Sequence, residues 1–159
     1  MSGTPAWLPA MFPVNPWTAD TYDLLYAIFC RDFKFDPASY AGHRVWFFPE
    51  MDRGKEEIFW HLTDREDKRS GARYPDLERA ARLPWSRPML DHAAEPEILA
   101  WDYEEGDGTV KTYVWLKNHD YVVIMKRMKD LSRRLVTSFW IDYSNTRKKM
   151  QGKYDARLK

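Results

Sequence analysis

The residue best placed to do chemistry is His61. It lies in the apolar run Ile58-Phe-Trp-His-Leu-Thr63, and the charged segment that follows holds Arg65, Arg69 and Arg73. An imidazole titrates near neutrality, and cations beside it suit general acid–base work on a phosphodiester. A core histidine bonded to a backbone carbonyl is the alternative. His119 reads as a turn residue, while His43 and His92 lack supporting neighbours.

A second group is cationic. Arg79 and Arg82 share one helical face, Arg73 precedes them and Arg87 follows. Guanidinium forks bind phosphate oxygens in pairs. Asp76 and Glu78 lie among them, so local ion pairs account for the same pattern. The third candidate is a C-terminal strand. Strict alternation puts Leu135, Thr137, Phe139 and Ile141 on one side, with Arg134, Val136, Ser138 and Trp140 on the other. The second side joins a cation, a hydroxyl and an indole, a platform for phosphate and base. Thr137 is either a satisfied core hydroxyl or a hydroxyl at the mouth of a cleft. Lys117 ends an earlier strand; it either lends charge to a transition state or merely solubilises the strand end.

Other chemistry is not visible. His43, His61, His92, His119 and Cys30 have no zinc-ligand spacing. No phosphate-cradling glycine loop, dinucleotide fingerprint or nucleophile elbow occurs. Carboxylates are numerous but scattered, so no glycosidase pair stands out. What remains is acid–base chemistry without metal or cofactor, or no chemistry.

The elements that must position these residues follow from pattern. Residues 1–17 carry Pro5, Pro9, Pro13 and Pro16 with Trp7, Phe12 and Trp17 between them, an extended arm pinned by aromatics. Residues 18–159 read as a single α+β domain. Thr18 caps a helix through about Phe33, ended by Asp36-Pro37. Arg44–Phe48 reads as a strand, Glu50–Glu56 as a polar loop, Ile58–Thr63 as a second short strand and Asp64–Tyr74 as an exposed loop. Pro75 and Asp76 open a helix that Pro84 breaks, and Ser86 caps a further one to about His92. The central helix is followed by a four-stranded antiparallel sheet of Glu97–Glu104, Val110–Lys117, Tyr121–Lys126 and Arg134–Tyr143. Hairpin loops at Glu105–Gly108 and Asn118–Asp120 join the first three. Asn145–Leu158 closes as a basic helix.

Composition bounds the function. The 159 residues, 44% hydrophobic and 31% charged, suffice for one domain with a real core. Eight Trp make either an indole-rich core or stacking platforms for bases. A net charge of +1 gives no global field, but residues 126–159 are locally basic and suit either phosphate tracking or a solvated helix with a frayed tail. A single cysteine fits a reducing cytoplasm. No apolar stretch approaches the roughly 18–20 residues that span a bilayer, and no secretory signal is evident. The expectation is a cytoplasmic protein with no membrane partner.

Several segments resemble a family of phage- and prophage-borne proteins: Gly54–Leu62, Arg73–Arg82, Trp85–Pro88, Tyr121–Ile124 and Leu135–Phe139, within a similarity running from about residue 17 to 155. The helix-then-meander order is similar to the barnase–EndoU–colicin–RelE nuclease superfamily, whose phage branches are inferred RNases. Ser138-Phe-Trp140 resembles a serine–tryptophan pair of tRNA-cleaving colicins. The chain departs from that pattern in having one well-placed histidine and no assignable Glu–Arg–His set.

The resemblance implies a toxin-like, metal-independent RNA endonuclease in which the ribose 2′-hydroxyl attacks the adjacent phosphate. His61 would be base or acid, Lys117 and Arg134 would stabilise the pentacoordinate phosphate, and Thr137 or Ser138 would position an oxygen. Arg73, Arg79, Arg82, Arg87, Arg134 and Trp140 would bind the nucleic acid. RNA, either tRNA or rRNA, and an inhibitor or immunity protein are the implied partners. The rival is a non-catalytic phage accessory or toxin-neutralising module on the same fold. A duplex-DNA binder fits less well, since no recognition helix stands out. Convergence of His61, Lys117 and the Arg134–Ser138 face on one cleft separates the first two.

Overall fold

In the computed structural model, which describes residues 3–159, the proline-punctuated N-terminus runs without helix or strand to Asp20. Its aromatics fasten it to the body. Trp7 donates to Glu97 at 3.0 Å and stacks on His92, and the Trp85 indole donates to the Pro9 carbonyl at 2.8 Å. Helix α1 (Thr21–Phe29) continues through one wide π-type turn, Cys30–Lys34. Thr18 does not cap it: the Thr18 amide instead donates to the Thr21 hydroxyl at 2.9 Å.

Strands β1 (Ser39–Tyr40) and β2 (His43–Trp46) pair antiparallel. The expected polar loop contains a minimal hairpin of β3 (Met51–Asp52) and β4 (Lys55–Glu56). Both of its turn residues, Arg53 and Gly54, have positive φ, the geometry a two-residue hairpin needs.

Residues 57–63 depart from the expected strand. Glu57–Thr63 is a helix, α2. Ile58, Phe59, Trp60, Leu62 and Thr63 are all buried, so the helix is apolar nearly all round and shows no amphipathic period. The charged segment after it is not a simple loop either. Strands β5 (Asp64–Glu66) and β6 (Arg73–Pro75) pair across it, and Asp64 is fully buried, accepting from the Tyr22 hydroxyl at 2.6 Å.

Helix α3 (Leu77–Ala81) is capped by Asp76, whose carboxylate accepts from the Arg79 amide. A 3₁₀ turn at Leu83–Trp85 and helix α4 (Ser86–Asp91) follow. Ser86 is no cap; it is buried and bonded to the Tyr121 hydroxyl.

Strands β7 (Ile98–Glu104), β8 (Val110–Leu116), β9 (Tyr121–Arg127) and β10 (Arg133–Trp140) pair antiparallel in succession, and α5 (Ser144–Asp155) ends the chain. The sheet is larger than the four-stranded antiparallel one expected. It is mixed and six-stranded, in the order β1-β2-β10-β9-β8-β7, because β2 joins β10 in parallel. The architecture is α+β, and among the described residues no helix is long and apolar enough to cross a membrane.

Alternation along the meander sorts its side chains onto two faces. Ile98, Val114, Leu116, Tyr121, Val123 and Met125 join α1, α2 and α4 in the main core. Trp101, Tyr113, Trp115, Val122 and Ile124 point the other way and are covered by Met150 of α5. Complete burial of side chains such as Phe29 and Phe59 contributes about 1.5–3 kcal/mol each.

In β10 the alternation breaks. A bulge skips Val136 between the pairs Leu135–Met125 and Thr137–Ile124, so the buried Leu135 and Ser138 face the main core together. Phe139 and Ile141 belong to the second cluster and not with Leu135, as simple alternation would have it.

Candidate functional site

Helix α2 ends against β10, and this junction carries the site. The His61 carbonyl, in the last turn of α2, accepts from Arg79 Nη1 at 2.8 Å and from Thr137 Oγ1 at 3.1 Å. Arg73 Nη2 donates to the Trp60 carbonyl at 3.1 Å and to Asp64 O at 3.2 Å. Carbonyls at a helix C-terminus carry partial negative charge, and two guanidiniums bond to them here, the Trp60 carbonyl also accepting the Asp64 amide. Nε of Arg73 and Nε of Arg79 are buried without a partner among the described residues.

The carbonyl is thus fixed while the imidazole is free. The His61 side chain is 40% exposed, and its nearest carboxylate oxygen is Glu57 Oε1 at 3.6 Å from Nε2, one helical turn earlier. Burial, with the Arg73 charge next, holds the imidazole below its usual titration range; Glu57 opposes them in part. A neutral imidazole near pH 7 is a competent proton acceptor.

Two concavities meet at His61. One, about 400 Å³, is walled by Phe48, Ile58, Leu135 and Val136, with Glu57, Arg134 and Thr137 at its polar side. The other, about 360 Å³, is rich in charge with a small basic excess: Arg65, Lys68, Arg73 and Arg79 face it, with Trp140 and Tyr143 as aromatic walls and Glu66, Asp76 and Asp142 as its acids. Of these acids Asp76 approaches Arg79, at 3.7 Å. Arg65 and Lys68 form no ion pair among the described residues.

The structure therefore gathers part of the expected set. His61, Arg73, Arg79, Arg134, Thr137 and Trp140 line one or the other cavity. Thr137 Oγ1 is spent on the His61 carbonyl, so it positions the histidine instead of gripping a phosphate oxygen.

Lys117 is elsewhere. It donates to Gln151 of α5 at 2.9 Å, on the sheet face away from α2, because the strand ends under the C-terminal helix. Ser138 is fully buried, accepting from the Tyr121 hydroxyl at 2.7 Å, because the bulge turns it into the main core. Arg82 pairs with Glu78 at 2.7 Å and covers the ring of Trp140, whereas Arg87 pairs with Asp91 at 2.9 Å and donates to the Asp32 carbonyl. For these two arginines, ion pairing is what the structure shows.

Replacing Ser138 by alanine should therefore cost about 1–3 kcal/mol in denaturant titration, the range for a buried hydroxyl losing a partner. Neither this variant, assayed while folded, nor Lys117→Gln should change any activity of the His61 cleft; a selective loss of activity in either would put these residues back in it.

Sequence reasoning missed Glu57 and Phe48. Glu57 stands four residues before His61, a visible pairing once the segment is read as a helix. Phe48 carries no signal of its own, since only the parallel β2–β10 pairing brings it to the cleft. No family model matches the chain, and no curated protein or solved structure is significantly similar to it.

Proposed function

We propose that the chain is an RNA endonuclease working by 2′-hydroxyl attack without a metal ion, with the His61 cleft as its active site. One observation carries this reading: a half-exposed imidazole, biased toward its neutral form, stands between a basic cavity and an apolar one. His61 takes the 2′-hydroxyl proton as the oxygen attacks phosphorus. The guanidiniums of Arg73 and Arg79, which line the basic cavity, stabilise the charge on the pentacoordinate phosphate. The bond to the 5′-oxygen breaks, that oxygen regains a proton from the imidazolium, and a 2′,3′-cyclic phosphate remains. The need for a 2′-hydroxyl restricts the reaction to RNA.

A non-catalytic binding module is the second reading. The placement of Lys117 and Ser138 outside the cleft favours it, as does the use of Arg73 and Arg79 to hold backbone carbonyls. The pH profile separates the two. A base must be deprotonated, so the acid limb of kcat/KM should lie below the ordinary histidine value of 6.5.

Arg73→Gln removes a charge that depresses the imidazole and should move that limb to higher pH. Glu57→Gln removes a charge that raises it and should move the limb lower. Folding stability should fall as pH drops through the unfolded value, since the unfolded chain then binds a proton that the native imidazole resists. An acid limb that neither variant moves would remove His61 from the reaction.

A further inference from the structure

We infer that the apolar cavity beside His61 receives one unpaired base of a single-stranded RNA, stacked on the Phe48 ring. This rests on reading the His61 cleft as an RNA site and adds which form of RNA it takes. Phe48 lies just beyond β2, is 48% exposed and meets Trp46 edge-on at 5.6 Å. The Arg134 guanidinium lies 4.4 Å from the centre of the Phe48 ring, held there because Arg134 and Trp46 are partners in the parallel β2–β10 pair. Among the described residues Arg134 makes no ion pair, and its Nε is buried without a partner. The result is an aromatic wall with a cation that has no carboxylate partner, on a 400 Å³ concavity whose remaining floor is Ile58, Leu135 and Val136.

An apolar pocket with a few convergent polar groups is the ordinary form of a small planar ligand's site. The chemistry next door fixes which ligand. His61 is common to both cavities, so a strand whose phosphate lies among Arg65, Arg73 and Arg79 has its neighbouring base at the apolar one. A base in a duplex has no free face to offer, so the occupant must be unpaired. Leu135, Val136 and Thr137, the residues at the β10 bulge, all line this cavity.

The test uses full-length protein and labelled 2′-O-methyl 12-mers, which cannot undergo self-attack: one with bases, one abasic, one in a duplex. Fluorescence anisotropy is read across a salt series. Phe48→Ala should weaken binding of the base-bearing strand by about 5- to 150-fold, the worth of one stacked base, and leave the abasic strand unchanged. Phe48→Trp should retain affinity, which separates loss of the platform from loss of the fold. Arg134→Gln should lower the slope of log K against log salt by about 0.7 on single strands. Equal effects of Phe48→Ala on abasic and base-bearing strands, or no effect on either, overturn the base pocket while leaving the RNA reading intact. Failure of the native protein to bind any strand overturns both.

Discussion

Replacing His61 with alanine is expected to cut RNA cleavage by about 10²–10⁴-fold, the usual worth of a positioned acid–base group. The fold should survive. The imidazole is 40% exposed, and its approach to Glu57 at 3.6 Å is too long for a hydrogen bond. The hydrogen bonds that tie the end of α2 to α3 and β10 run through the His61 carbonyl, which alanine keeps. Thermal unfolding should therefore shift little. A large loss of stability, with cleavage per folded molecule unchanged, would mark His61 as a structural residue.

The second large effect concerns Arg73 and Arg79. Changing both to glutamine should lower kcat by at least about 10²–10³-fold, the cost of removing one transition-state donor. It should also reduce the salt slope of RNA binding by about 0.7 for each phosphate that is no longer neutralised. Because both side chains also bond carbonyls at the end of α2, the change should cost stability as well, about 1.5–3 kcal/mol for each hydrogen bond removed. Activity must therefore be measured well below the unfolding transition. The control is Arg82→Gln with Arg87→Gln. These arginines are engaged by Glu78 and Asp91, so the salt slope should not move. A slope that falls for the control pair and not for the first would relocate the phosphate path to Arg82 and Arg87.

The meander is legible in the sequence because each strand alternates between two faces that both need apolar side chains, and its first two turns announce themselves. At Asp120 the chain takes a left-handed φ of 54°, which an Asn-His-Asp turn accommodates. The parallel partner of β10 is not legible. Pairing Arg133 with Val45 joins residues far apart in the chain, and nothing in either segment encodes it.

His61 is recognisable as chemistry from its neighbours, but the pattern around it suggests the wrong element. A short helix buried on nearly every side has the composition of a buried strand, and periodicity cannot distinguish them. Reading a strand there hides Glu57. The bulge at Val136 is the other failure. A one-residue slip exchanges the faces of a strand, so Ser138, assigned to a binding platform by alternation, lies in the core instead. Lys117 does stand at a strand end, but α5 draws its ammonium to Gln151.

The most direct measurement is incubation of purified protein with total tRNA and rRNA, with and without chelator, followed by identification of the product ends. Cleavage should persist in chelator, yield 2′,3′-cyclic phosphate termini and be lost in His61→Ala. Intact RNA under all conditions, cleavage that chelator abolishes, or equal cleavage of a 2′-deoxy strand of the same sequence would overturn the assignment of the His61 cleft as a metal-independent ribonuclease site.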